Sequence, residues 1–267
     1  MKNRLRDLLD GTAPICGAFT TLADPAIVEI VGHAGYDFTQ LDLEHTSLSL
    51  ECLENCLRAA KAHNLGTWVR VPSLDPKLIL RVLSIGADGI MVPDIATVED
   101  ARRAAASIRY PPLGDRGFFG ASRATDFGAH GFPSNQALTD AVNRSVVFVV
   151  LIESREGTEA CEEIVSIPGV DVVVIGVGDL SVSLGVSHTP KHPDITAAIK
   201  RISAACKSAG VPLALPLNHA AYPVGPQEAF DLGARVLMSG MDRVLLMQGY
   251  KAACASLRQV SSEGSAQ

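Results

Sequence analysis

The sequence of 267 residues is 47% hydrophobic and 19% charged, with a formal net charge of −6 at pH 7. This composition supports a large apolar core and excludes a chain that is disordered throughout. The acidic balance, the pI near 5.6 and the lack of a lysine- and arginine-rich run argue against a nucleic-acid partner.

The sequence contains neither a membrane-span pattern nor an export signal. No apolar run reaches about 18 residues, and the opening segment MKNRLRDLLDGTAP lacks a signal-peptide core. The six cysteines are scattered without the spacing of a metal finger, which is typical of ordinary reduced thiols. The sequence therefore predicts a soluble cytoplasmic protein with no membrane partner.

Eight short apolar segments rich in β-branched residues predict eight strands. In chain order they cover 15–21, 38–44, 66–72, 89–94, 146–153, 170–176, 211–217 and 235–240. Because most of them are continuously apolar, they indicate a parallel sheet that is covered on both faces.

Helical patterns lie between most of these strands. Asp24–Pro25 and Asp75–Pro76 predict helix starts, since each combines a capping residue with a proline in the first turn. Glycines placed shortly before the next strand predict helix ends. These glycines are Gly35, Gly66, Gly86, Gly210 and Gly233.

The strand starts recur at intervals of roughly 25 residues, with two longer intervals. Eight such units in a chain of this length predict a single-domain (β/α)8 TIM barrel over residues 1–267. A doubly wound sheet is the alternative, although no glycine-rich phosphate-binding sequence follows the first strand. The longer intervals predict inserted loops at 111–133 and 183–194, both expected at the active-site face.

Charged side chains accumulate where the predicted strands end, which is where barrel enzymes carry their chemistry. Asp42, Glu44 and His45 end strand 2, and Arg70 lies near the end of strand 3. The planar guanidinium of Arg70 suits a carboxylate or an enolate oxygen, or it pairs with a structural acid such as Asp42. His45 is either a general base that Asp42 orients or a hydrogen-bonded core histidine.

Two carboxylates follow neighbouring predicted strands. Glu153 ends strand 5, and Asp179 follows strand 6 in GVGDLS, where small residues such as Gly178 let a ligand approach the backbone. Adjacent strands lie about 4.8 Å apart, so the carboxylates are expected to converge and to share a proton or a cation. Mg²⁺ takes one or two protein carboxylates, which predicts a metal site. The alternative makes Asp179 a helix N-cap and Glu153 an ion-pair partner of Arg155.

Several motifs occur in a fixed order, among them LDLEH, WVRVP, YPPLGDRG, LIES and GVGDLSVSLG. Together they resemble the HpcH/HpaI aldolases, a family of metal-dependent pyruvate aldolases, from about residue 12 to residue 250. The resemblance implies a (β/α)8 barrel that reversibly cleaves a 4-hydroxy-2-oxo acid to pyruvate and an aldehyde. It also implies a divalent cofactor, Mg²⁺, Mn²⁺ or Co²⁺.

The resemblance assigns roles to individual residues. Glu153 and Asp179 match the metal ligands of the family, Arg70 matches its pyruvate-binding arginine, and His45 with Asp42 matches its acid–base pair. It further implies a homohexamer in which the last helix is exchanged between subunits. Residues 241–257 are apolar enough to dock on a neighbouring subunit.

Within the inserted loop 111–133, the spacing of Arg116 and Arg123 resembles that of the keto-deoxy-glucarate aldolases. The two arginines either bind a distal substrate carboxylate or brace the loop. The chain departs from the family pattern at Leu151, where a glutamine is usual, and at Val177 and Gly178, which replace a proline and a small residue.

Lysines decide between two aldolase mechanisms. A Schiff-base aldolase needs a lysine at a strand end, and all seven lysines fall in predicted helices, termini or an inserted loop, so the metal route is favoured. A CoA-thioester lyase of the citrate lyase β type is an alternative, but no basic cluster beyond Arg102 and Arg103 is present for the nucleotide. A third possibility is a non-catalytic barrel that acts as a binding protein.

Overall fold

The eight predicted strands form one closed parallel barrel in a computed structural model that describes residues 3–129 and 131–263, with side chains as far as Gln259. The strands are β1 (Ile15–Thr20), β2 (Phe38–Asp42), β3 (Gly66–Arg70), β4 (Gly89–Val92), β5 (Val147–Ile152), β6 (Val172–Ile175), β7 (Leu213–Pro216) and β8 (Ala234–Met241). Because β1 pairs with both β2 and β8, the single-domain (β/α)8 prediction is confirmed and the doubly wound alternative is wrong.

Helices alternate with the strands and surround the barrel. They are α1 (Arg4–Asp10), α2 (Pro25–His33), α3 (Leu50–Ala62), α4 (Pro76–Ser84), α5 (Val98–Ile108), α6 (Asn135–Ser145), α7 (Arg155–Glu159), α8 (Cys161–Val165), α9 (Val177–Ser183), α10 (Pro193–Ala209), α11 (Pro226–Asp231) and α12 (Asp242–Glu263). A 3₁₀ helix covers Arg123–Gly128. None of the described helices has the length and apolarity that crossing a membrane requires.

Both aspartate–proline pairs begin helices, as predicted. The Asp24 side chain accepts a hydrogen bond from the Ala26 N–H at 2.9 Å and caps α2. Asp75 caps α4 in the same way by accepting from the Lys77 N–H at 2.8 Å. In each helix the proline occupies the first turn, where its missing N–H leaves no hydrogen bond unmade.

Gly66 has a different role from the predicted one. It opens β3 instead of ending a helix, and Asn64, with a φ of 52°, follows the end of α3. A β-carbon at Gly66 would lie 3.2 Å from Cβ of Phe38 and 3.3 Å from Cα of Leu5, so glycine permits the close approach of α1 and β2. The remaining predicted helix-end glycines have positive φ. They are Gly35, Gly86, Gly210 and Gly233.

The barrel interior is filled by the side chains of alternate strand residues. Phe38 and Trp68 are fully buried there with their ring centroids 4.2 Å apart, and α1 closes the N-terminal end with Leu5 and Leu9. The Trp68 Nε1–H donates a hydrogen bond of 2.9 Å to Gln40 Oε1, which satisfies the one polar atom of the indole. The interior is therefore a packed core rather than a channel.

Strand register determines which side chains reach the C-terminal mouth of the barrel. Asp42 follows Gln40 by two residues and Arg70 follows Trp68 by two residues, so all four side chains face the interior. Asp42 and Arg70 are also register partners across β2 and β3, which places their side chains next to each other. Glu153 continues the inward alternation at the end of β5.

The two inserted loops lie at opposite ends of the barrel. Residues 183–194 join α9 to α10 at the C-terminal face. Residues 111–133 join α5 to α6 ahead of β5, and a connection that leads towards the start of a strand lies at the N-terminal face. Contrary to the prediction, 111–133 therefore does not stand at the active-site face of this chain. His130, for which the sequence suggests no role, lies outside the described residues.

Candidate active site

A cavity of about 810 Å³ opens at the C-terminal ends of the strands. Six of the predicted site residues line it, namely Asp42, His45, Arg70, Glu153, Gly178 and Asp179. Arg116 and Arg123 instead line a separate cavity at the N-terminal face. Within one chain the body of the barrel separates these two arginines from the other six residues, so their contact with substrate stays a prediction.

Two acids hold Arg70 in a fixed orientation. Its Nε and Nη2 donate hydrogen bonds of 2.9 and 2.7 Å to the two carboxylate oxygens of Asp42, and its Nη1 lies 3.2 Å from Glu44 Oε2. The ion pair with Asp42 that the sequence offered as an alternative is thus present. A guanidinium carries more donors than these three contacts use, so the ion pair orients Arg70 and leaves N–H groups available to a substrate.

Burial and pairing act in opposite directions on these side chains. Burial alone raises the pKa of Asp42 and lowers the pKa of Arg70, but their mutual hydrogen bonds and charges reverse both shifts. The pKa of Glu44 is raised, because burial outweighs the attraction of Arg70 and His45. Asp42 and Arg70 therefore stay ionised, whereas Glu44 accepts a proton more readily than an exposed glutamate.

His45 lies at the rim of the cavity, and its side chain is 65% exposed. Its Nε2 is 3.7 Å from Glu44 Oε2. Both carboxylate oxygens of Asp42 accept hydrogen bonds from Arg70, one also accepts from the Glu44 N–H, and no hydrogen bond between Asp42 and His45 is present among the described residues. The nearest acid to the imidazole is therefore Glu44, and Asp42 positions Arg70 instead.

Glu153 is a buried carboxylate that lies near other acids. Its side chain accepts a hydrogen bond of 2.9 Å from the Asp94 N–H, and the residue is only 8% exposed. Burial raises the pKa of Glu153 to about 7, and the negative charges of Asp179, Asp94 and Glu44 add to the effect. Among the described residues no ion pair joins Glu153 to Arg155, so the predicted structural alternative for Glu153 is wrong.

Asp179 is likewise not the N-cap that the alternative required. It is the third residue of α9, whose N-cap is Gly176 and whose first turn receives no capping hydrogen bond from a side chain. Asp179 lines the cavity, and its charge raises the pKa of Glu153. Both carboxylates thus line one cavity, where the charge of Asp179 acts on Glu153.

The donor set at this point fits a divalent cation that also keeps other ligands. No group of three histidine, cysteine, aspartate or glutamate side chains in the described part of the chain could hold a metal. Glu153 and Asp179 offer two carboxylates, and Mg²⁺ commonly binds proteins through one or two carboxylates while it retains water and substrate oxygens. A bound cation would also offset the burial and the neighbouring negative charges that raise the pKa of Glu153.

His219 is a cavity residue that the sequence reasoning missed. Its Nδ1 accepts a hydrogen bond of 3.2 Å from the Ala221 N–H, so the neutral ring carries its proton on Nε2. Burial lowers the pKa of His219 despite the nearby charge of Asp179, which favours that neutral form. A β-carbon on Gly178 would lie 3.4 Å from Nε2. The ring therefore presents an N–H donor close to Asp179, and its position just after β7 was the available signal.

The family model for HpcH/HpaI aldolase/citrate lyase matches residues 16–245. The chain belongs to this family. A solved HpcH/HpaI aldolase/citrate lyase family protein from Burkholderia cenocepacia superimposes with a TM-score of 0.87 at 32% identity, covering 96% of this chain and 100% of that one. The fold and the motifs therefore agree on the same family.

Two curated relatives with named activities are aldolases. The chain is 32% identical to a hydroxypyruvate/pyruvate aldolase of Paraburkholderia phytofirmans, over 96% of this chain and 98% of the relative. It is 35% identical to a 5-keto-4-deoxy-D-glucarate aldolase of Salmonella paratyphi A, over 79% and 80%. The protein is accordingly a carbon–carbon lyase of the aldolase type that acts on small molecules, and the predicted family is confirmed.

The departures from the HpcH/HpaI pattern lie in the cavity wall. Leu151 and Val177 both line the cavity, and they are 3% and 1% exposed. Each places an apolar surface beside Glu153 or Asp179, which lowers the local dielectric and strengthens the electrostatic interactions of the carboxylates.

Proposed function

We propose that the protein reversibly cleaves a 4-hydroxy-2-oxo acid to pyruvate and an aldehyde, with a divalent cation held by Glu153 and Asp179. The observation that carries this proposal is the pair of cavity carboxylates, Glu153 buried at pKa about 7 and Asp179 beside it. They lie in the same cavity as a guanidinium fixed by Asp42. A metal-dependent mechanism is implied by the family as well.

Arg70 binds the carboxylate of the pyruvate unit in this scheme. Its free N–H groups form a planar donor set, which suits a carboxylate better than a point charge does. Asp42 fixes the plane of the guanidinium, so little ordering is required when the substrate binds. Lewis-acid stabilisation of the enolate charge is the chemistry that a divalent ion supplies when bound at Glu153 and Asp179.

His45 moves the proton. In the cleavage direction the hydroxyl group on C4 of the substrate loses its proton to the imidazole, the C3–C4 bond breaks, and its electron pair enters the enolate of pyruvate. A proton then returns to C3 to form the methyl group. The ordinary pKa of histidine lies near neutral pH, which suits both transfers, and Glu44 at 3.7 Å is the nearest acid to the imidazolium.

Two side chains at the rim are placed to contact the aldehyde part. His219 offers the Nε2–H described above, and Arg243 lines the same cavity from the first turn of α12. The Arg243 Nη2 donates a hydrogen bond of 3.0 Å to the Thr21 carbonyl, and no described carboxylate pairs with its charge. We propose that Arg243, rather than Arg116 or Arg123, contacts a distal carboxylate of the substrate.

Proton exchange of pyruvate tests the central assignment without knowledge of the aldehyde. In D₂O with Mg²⁺ or Mn²⁺, the wild-type protein should introduce deuterium into the methyl group, and the exchange should stop on addition of a chelator. E153Q and D179N should exchange deuterium at least about 100-fold more slowly than the wild type, because metal binding needs the charged carboxylates. E156Q is the matched control, since Glu156 is an exposed neighbour that does not line the cavity.

Thermal melts of the same proteins separate the metal site from a structural role. The wild type should gain melting temperature on addition of Mn²⁺, and E153Q and D179N should not. Without metal the two variants should be as stable as the wild type or more stable, because one of two repelling charges is gone. Exchange that survives in E153Q would contradict the proposal. If deuterium enters the methyl group of acetyl-CoA but not that of pyruvate, the result would instead favour the CoA-thioester alternative.

A further inference from the structure

A second cavity, of about 340 Å³, lies at the N-terminal face of the barrel. It is bounded by the ends of α3 and α4, the starts of β3 and β4, and the segment 111–133. No residue lines both this cavity and the active-site cavity. Within one chain the two cavities are therefore separate.

Arg116 is buried in the wall of this cavity without a counter-ion. The residue is 5% exposed, its guanidinium carbon lies 4.7 Å from the centroid of the Tyr110 ring, and its Nε has no hydrogen-bond partner. Within residues 3–129 and 131–259, whose side chains are described, no carboxylate forms an ion pair with it. By contrast, the buried Arg109 pairs with Asp171 at 3.0 Å. Buried arginines are normally paired, so Arg116 lacks the partner that its charge requires.

The rest of the lining is also rich in cations. Lys61 is paired with Asp126 at 2.7 Å, and Arg123 is paired with Glu54 at 3.1 Å. Arg123 therefore braces the segment 111–133, which is one of the two roles that the sequence allowed it. Arg4 also lines the cavity, and its Nε has no hydrogen-bond partner.

Asp88 does not neutralise this surplus of positive charge. Its carboxylate is engaged by the Thr67 backbone N–H at 3.0 Å. Burial raises the pKa of Asp88 to about 7, so the group is partly protonated at neutral pH. The cavity lining consequently holds more positive than negative charge, and Arg116 is part of that lining.

We propose that the N-terminal cavity binds a small anion whose carboxylate or phosphate group pairs with Arg116. A guanidinium donates two parallel hydrogen bonds to either group. The volume is at the lower end of the range for ligand pockets, so the anion is of metabolite size. The apolar and aromatic wall around Arg116 strengthens this pairing by excluding water.

Titration of the full-length protein with inorganic phosphate and, separately, with succinate tests this site. The buffer contains a chelator, so that anions are not retained by metal in the active-site cavity. Each anion that binds should raise the melting temperature of the wild type and release or absorb heat in calorimetry. The comparison of the two probes shows whether phosphate or carboxylate is preferred.

R116Q should bind either probe at least about tenfold more weakly, because the charge-assisted hydrogen bonds are lost. R102Q is the matched control, since Arg102 is exposed on α5 and lines neither cavity. R116Q should also be no less stable than the wild type in the absence of anions, because it removes an uncompensated buried charge. A purely structural arginine stacked on Tyr110 would give the opposite stability change.

Two results would overturn the proposal. The first is an equal response of the wild type and R116Q to both probes. The second is a change of oligomeric state in R116Q, which would show that a carboxylate of a second copy pairs with Arg116. If R116Q does not fold, K61Q provides the test, because it lowers the positive charge of the same lining at an exposed position and should weaken binding severalfold.

Discussion

At the scale of single residues, the active site depends on charges that neighbouring side chains fix in place. The Asp42 carboxylate and the Arg70 guanidinium meet in a two-point hydrogen bond because their strands place them in register. This arrangement gives Arg70 one orientation towards the cavity, and a lysine at the same position would have no comparable plane of donors.

The substitution R70K should therefore lower kcat/KM although it preserves the charge. Loss of a charge-assisted hydrogen bond costs about 1.5–3 kcal/mol, which corresponds to a decrease of roughly 10- to 150-fold. Steady-state kinetics with pyruvate and a test aldehyde measure the effect, and R102K serves as the control. Near-normal kcat/KM in R70K would show that the arginine only stabilises Asp42.

A second prediction at this scale concerns the Nε2–H of His219. H219L should leave the deuterium exchange of pyruvate nearly unchanged but raise the KM for a polar aldehyde by about tenfold, the value of one hydrogen bond. H219Q keeps a donor and should recover part of the loss. Equal behaviour of the two variants would show that the ring acts by its shape alone.

The raised pKa of Asp88 leads us to expect that the stability of the protein depends on pH. Its pKa of about 7 in the folded protein exceeds the ordinary value near 4 of an unfolded aspartate. Between these values the folded state binds more protons, so the free energy of unfolding falls as the pH rises. Thr67 and Lys61 favour the charged form of Asp88, but burial outweighs both, and the negative charge of Asp7 adds to the effect of burial.

D88N should remove this contribution. In urea unfolding between pH 4.5 and 8.5, the variant should lose less stability than the wild type as the pH rises, and it should be the more stable protein above pH 8. The pH dependence of stability that remains in D88N includes a contribution from Glu153, whose pKa is also raised. Parallel curves for the two proteins would contradict the assignment of the raised pKa to Asp88.

Several contacts of single residues could not be predicted from the sequence. The strand ends indicated that Asp42, His45 and Arg70 share one rim, because alternation and parallel register are readable from the pattern. Which acid meets which base depends on side-chain rotamers and on the turn after β2, neither of which the sequence specifies. His219 was missed although the strand-end rule applied to it, since the strand before it carries no charged residue.

At the scale of elements, α12 is the helix with the least cover from its own chain. It is anchored at its start, where the Asp242 carboxylate accepts hydrogen bonds of 2.8 Å from the Thr21 and Leu22 N–H groups. Beyond that point it presents large apolar side chains to solvent, such as Leu245, which is 53% exposed, and Tyr250, which is 73% exposed. We propose that a second copy of the chain covers this face, as in the helix-exchanged hexamer that the family implies.

Removal of α12 should consequently disrupt assembly. A chain that ends at Gly240 should be monomeric or aggregated in size-exclusion chromatography with light scattering, whereas a chain that ends at Gln259 should assemble like the full protein. Y250E in the full chain retains the Asp242 anchor and should dissociate the assembly as well, because a charge on a buried apolar face is costly. A soluble and active hexamer without α12 would contradict the exchange.

At the scale of the whole molecule, the sequence predicted the architecture more reliably than the placement of its insertions. Apolar periodicity located every strand, because the closed parallel sheet requires continuously apolar strands. The length of 111–133 revealed an insertion but not its face. The face of an insertion depends on whether it precedes or follows the helix that covers the strand. Here α5 ends at Ile108, so the insertion follows α5 and lies at the N-terminal face. The exchange of α12 that we propose involves other copies, which one sequence does not describe.

The pairing of β1 with β8 has a consequence for how the chain folds. These strands lie near opposite ends of the sequence, with Ile15 in register with Val236, and contacts of such long separation form slowly because the loop entropy must be lost first. During synthesis, β1 to β7 can emerge before their last partner exists, which leaves two strand edges open to other chains. The barrel is thus most vulnerable to aggregation just before β8 is synthesised, and slow synthesis of the segment between β7 and β8 should increase that risk.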